Sequence, residues 1–114
     1  MAKFNDTETL TTTIELQVPR PVYITSGMEI PFWKDYFSQK KLESDTSVSA
    51  TLYNRCLKIL QWAEFCNATI SYVGNAKDED NNLTVKFTFH FPDADSHFLF
   101  QVDWLSNLNI VAKL

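Results

Sequence analysis

Between Leu83 and Phe91 the chain alternates without a break: Leu83, Val85, Phe87, Phe89 and Phe91 fall on one side, Thr84, Lys86, Thr88 and His90 on the other. Period two with one wholly apolar face predicts a half-buried strand, and three phenylalanine rings on that face call for a large apolar layer against them. Thr11–Val18 has the same rhythm, with Thr12, Ile14, Leu16 and Val18 inward and Thr13, Glu15 and Gln17 outward. Pro19-Arg20-Pro21 stops it, because two prolines remove donors and hold the chain extended. Val22–Thr25 reads as a short edge strand, with Gly27 at a turn.

Helical spacing takes over after that. Pro31 suits the first position of a short helix to Leu42, in which Phe32/Tyr36 and Trp33/Phe37 are i,i+4 pairs and Lys40 and Lys41 favour the C-terminal end. This segment is expected to lie over the sheet or its edge, or else to offer Trp33 and Phe37 as an aromatic platform to a partner. Val48–Asn67 is the main helix, capped by Asp45 or Ser47. Its stripe is Leu52, Cys56, Ile59, Leu60 and Ala63, widened by Tyr53, Leu57 and Trp62. A second strand is expected over Thr69–Val73, then a loop Gly74–Asn82 with Asp78-Glu79-Asp80 at a solvated tip. A last strand is expected over Leu108–Leu114, with Leu108, Ile110, Ala112 and Leu114 on one face.

Asp93–Leu105 fits both periods. As a strand, Phe98, Phe100, Val102 and Trp104 alternate with Leu99, Gln101 and Asp103; as a helix, Asp93 caps it and Ala94, Phe98, Val102 and Leu105 form its inward face. The cap and the shortage of β-branched residues favour the helix. The order is then β-α-β-β-α-β, an α+β ferredoxin-like sandwich: a four-stranded antiparallel sheet, two long helices on one face, and a short helical insertion after the first strand. All 114 residues form a single domain, without repeats or low-complexity tracts.

Composition narrows the classes. A chain that is 45% hydrophobic and 14% aromatic is not disordered. Fourteen acids against ten bases give a net charge of −4, which disfavours non-specific phosphate-backbone binding. Cys56 and Cys66, ten residues apart on one helix, would lie about 15 Å apart along its axis and so could not bridge. Free thiols, no apolar leader near Met1 and no run of membrane-spanning length predict a cytoplasmic protein with no membrane association. The sequons at Asn5, Asn67 and Asn82 are attributed to chance.

Candidate chemistry is sparse. His90, Asp93, Asp95 and His97 could in principle hold a divalent metal or serve acid–base hydrolysis, but their spacing matches no metal motif and Asp93 has a capping role. No metal and no cofactor is expected, and neither cysteine has a histidine close in sequence to activate it. An RNA-recognition sheet would need aromatics on the open face of its central strand, where Thr84, Lys86, Thr88 and His90 stand instead.

Protein recognition remains. In the helical reading Phe100 and Trp104 project away from the inward face with His97 beside them, a second apolar stripe suited to a protein partner or a second copy of the chain. The run D-A-D-S-H-F-L-F-Q-V-D-W, Asp93–Trp104, is faintly similar to stretches in small phage-encoded proteins, over about a tenth of the chain. That likeness carries no residue assignment; a compact, acidic chain with no catalytic set fits an accessory binding protein, viral in origin on this reading, acting by inhibition of a host factor in the host cytoplasm or by homodimerisation. The expectation is a non-catalytic protein-binding domain, with a nucleic-acid-binding domain as the alternative and a small hydrolase or metal-dependent enzyme after it.

Overall fold

The computed structural model describes residues 10–24 and 29–102. Among them the order is β1 (Thr11–Gln17), α1 (Ile30–Leu42), α2 (Ser47–Phe65), β2 (Thr69–Lys77), β3 (Leu83–His90) and α3 (94–102). The three strands form one sheet in the order β1-β3-β2, and both pairings are antiparallel. The most strongly alternating run thus sits in the middle, with Phe87 opposite Ile14 on one side and Val73 on the other. The described residues supply three strands rather than four; the strand expected over Leu108–Leu114 lies outside them, as do Gly27, Trp104 and Leu105.

One face of the sheet is apolar and takes the helices. Ile14, Leu16, Val85, Phe87 and Phe89 are buried in a single core with Trp33, Phe37, Tyr53, Cys56, Ile59, Leu60 and Phe100. The other face is polar. There the Thr13 and Thr88 hydroxyls share a hydrogen bond at 2.9 Å, and Lys86 faces Glu15 at 3.8 Å.

Several boundaries differ from expectation for local reasons. β2 runs on through Gly74 to Lys77, so the hairpin tip is only Asp78–Asn82. Gly74 is there because the Tyr72 ring lies over it: a Cβ at this position would stand 2.3 Å from the Tyr72 hydroxyl oxygen. At the tip, Asp78 Oδ1 accepts from the backbone N–H groups of Asp80 and Asn82, both at 2.9 Å, and Asn81 takes a φ of 67°. Asp78 is therefore a turn builder rather than merely a solvated charge. The segment at Val22 is not a strand; Val22 is buried and tied to β2 by a side chain.

Thr46, not Asp45 or Ser47, caps α2, its hydroxyl accepting from the Ser49 N–H at 3.1 Å. The helix ends two residues before Asn67. Ala68 N–H donates to the Ala63 carbonyl and Asn67 N–H to the Glu64 carbonyl, with Asn67 at φ 62°. This is a Schellman closure with asparagine in the left-handed position.

Candidate functional site

Of the five residues expected to meet a partner, Trp33, Phe37, His97 and Phe100 are described, and three of these, Trp33, Phe37 and Phe100, are fully buried. Trp33 and Phe37 project from α1 into the core, fully buried, with their rings 5.7 and 6.1 Å from Phe87. The i,i+4 pairing is as expected, with 5.8 Å between the two rings, but it faces the sheet. Burying each ring contributes about 1.5–3 kcal/mol, enough to outweigh the unpaired Trp33 indole N–H. An exposed aromatic platform on α1 is thereby excluded for these two residues.

The helical reading of the last segment holds over 94–102, and Asp93 caps it, with Oδ1 accepting from the Ser96 N–H at 2.8 Å. Its orientation is the reverse of the expected one. Phe100 is wholly buried, 5.9 Å from Phe89 and 5.0 Å from Phe91, whereas Phe98 is 68% exposed and Ala94 and Val102 are exposed too. At about 100° per residue Phe98 and Phe100 stand some 160° apart, so only one can point inward. Phe100 does so because two sheet phenylalanines receive its ring. His97 lies on the same side, stacked on Phe91 at 5.0 Å and hydrogen-bonded to Thr12 through Nε2 at 2.8 Å. His97 is thus a tie between α3 and β1. Trp104 lies outside the described residues.

The proposed metal cluster is dispersed. His90 alternates with buried Phe89 and Phe91 and so takes the opposite face of the sheet from His97, and the Asp93 carboxylate is engaged by its helix. Among the described residues no three His, Cys, Asp or Glu side chains gather into a group that could hold a metal ion. Cys56 is buried, and desolvation pushes its thiol up to about 12, the reverse of what a nucleophile needs. Neither cysteine is in a disulfide. The polar sheet face carries an exposed aromatic that the sequence reading did not single out, Tyr72, which the β2–β3 register places level with Thr88.

Two features remain. One is the outward side of α3, where Phe98 and Val102 are one turn apart with half-exposed Leu99 between them. The other is a cleft of about 200 Å³ between the chain after β1 and the α1–α2 turn, lined by Arg20, Lys40, Glu43, Asp45, Ser49 and Tyr53 among others. The sequence gives no sign of it. Arg20 reads as part of a strand stop and Lys40 as a helix-end charge, and only the turn at Ser44–Thr46 brings them together.

These features define a small α+β domain with a helix-covered antiparallel sheet. No family model, no curated protein and no solved structure matches the chain. Among the described residues no helix is long and apolar enough to cross a membrane.

Proposed function

We propose that this chain is a protein-recognition domain that works without catalysis, and that its contact surface is the outward face of α3. The exposure of Phe98, one turn from exposed Val102, carries this reading. A helix needs one apolar stripe to cover a sheet, and here Phe100 already provides it; a phenylalanine on the opposite side is the sort of residue interfaces favour. The partner is a protein or a second copy of the chain, and two cysteines outside any disulfide fit a reducing compartment such as the cytoplasm. In the same reading Leu108–Leu114 supplies a fourth strand on the outer edge of β1. Even-numbered residues of β1 bond to β3, as Val18 N–H to the Leu83 carbonyl does, so the backbone groups of Thr13, Glu15 and Gln17 point to that edge. That pairing would complete the ferredoxin-like order.

Sedimentation and partner capture with Phe98→Glu test the surface. The variant should keep the wild-type melt and lose self-association or the captured protein. A wild type that stays monomeric and captures the same proteins as Phe98→Glu would end the proposal.

A further inference from the structure

The cleft beside α2 has a composition that the α3 surface does not explain. Its volume, about 200 Å³, is roughly that of six or seven waters at about 30 Å³ each, room for a phosphate group with a small substituent. Tyr53 forms its inner wall. The residue is only 5% exposed and its ring packs 6.0 Å from Phe37, while its hydroxyl is not among the buried unpaired polar atoms and so opens to the cleft. Arg20 stands at the same cleft and forms no ion pair among the described residues.

The lining sets Arg20 and Lys40 against Glu43 and Asp45, and Lys40 is the cation already engaged, beside Glu43 and 5.5 Å from the Tyr36 ring centroid. Glu43 is engaged at both oxygens, with Oε2 accepting from Gln39 Nε2 at 3.0 Å and Oε1 3.9 Å from Lys40 Nζ. Asp45 is the remaining acid. Burial above all raises the pKa of the Tyr53 phenol, so it stays a donor at neutral pH.

We propose that this cleft binds a small oxyanion of phosphate size, gripped by the Arg20 guanidinium and accepting a hydrogen bond from the Tyr53 hydroxyl, with the Lys40 ammonium, shared with Glu43, at its rim. A planar guanidinium matches tetrahedral oxyanions in geometry as well as charge, and a fixed phenol adds direction. The proposal is independent of the α3 surface.

The test is titration of inorganic phosphate into the full chain at constant ionic strength, following the backbone amide resonances of Ser44–Ser49. The shifts should saturate with one shared dissociation constant, and sulfate should compete. Arg20→Gln should weaken binding at least tenfold. Tyr53→Phe, which keeps the ring on Phe37, should weaken it several-fold, and Asp45→Asn should tighten it. Shifts that remain linear in phosphate, or a dissociation constant unchanged in Arg20→Gln, would overturn the proposal. Arg20 is exposed, so its variant decides the matter even if Tyr53→Phe unfolds.

Discussion

The carboxamide of Asn75 holds both backbone groups of Val22: Oδ1 accepts from the Val22 N–H at 2.8 Å and Nδ2 donates to its carbonyl at 3.0 Å. A side chain on β2 thereby does for the segment after β1 what a neighbouring strand would do. Val22 is buried, so its two polar groups depend on that amide.

Asn75→Ala should therefore destabilise by about 1–3 kcal/mol, more than an exposed position usually costs, because two bonds go together and leave buried partners. A urea melt gives the loss. Faster hydrogen exchange at the Val22 amide would locate it.

The reversed orientation of α3 makes a paired prediction. Phe100→Ala should cost about 3–5 kcal/mol, since it leaves a cavity beside Phe89 and Phe91. Phe98→Ala should change stability by no more than about 0.5 kcal/mol. Equal losses in denaturant melts would contradict the observed facing.

Asn67 tests the closure of α2. Asn67→Gly should be neutral or slightly stabilising, and Asn67→Ala should lose about 1 kcal/mol, because alanine has the Cβ penalty at φ 62° without the local polar interactions by which asparagine offsets it. Thermal melts of the two variants should separate by several degrees, on the order of 4–8 °C.

Cys56 should make the fold alkali-sensitive. Its thiol is raised from 9.0 to about 12 in the native state, so the unfolded chain releases the proton first. Stability from this source is intact below pH 9 and is lost between about 9 and 12, at no more than about 1.4 kcal/mol per pH unit. Tyr53, also raised, acts in the same direction from 10 upward. Cys56→Ala, though weaker at pH 7, should lose less per pH unit between 9 and 11 in urea melts.

Much of the fold is legible in the chain, and the misses have a common cause. Ile14, Leu16 and Val18 alternate with Thr13, Glu15 and Gln17, and nothing but a strand satisfies that order. Asp93 declares a helix start by chemistry alone. Which side of that helix goes inward is different, because Phe98/Val102 and Phe100 are both apolar and periodicity ranks them equally. The choice is made by Phe89 and Phe91, which meet the helix only after the chain has folded back. Gly74 misleads for a related reason. It has the look of a turn residue, but what it accommodates is the Tyr72 ring two positions away. The cleft is illegible altogether, since Arg20 and Lys40 converge from separate segments with no spacing rule between them.

The pairing of β1 with β3, rather than with its successor in the chain, sets a delay during synthesis. Thr13 and Thr88, hydrogen-bonded in the finished sheet, are 75 residues apart. At about 5–20 residues per second, β1 waits some 4–15 s for its neighbour to be made. Through that interval the apolar side of β1, Ile14 and Leu16, has no sheet to join, whereas β2 and β3 can zip across a five-residue turn almost as soon as they emerge. The last-made half of the sheet is thus positioned to form first, and β1 to be recruited onto a hairpin already standing.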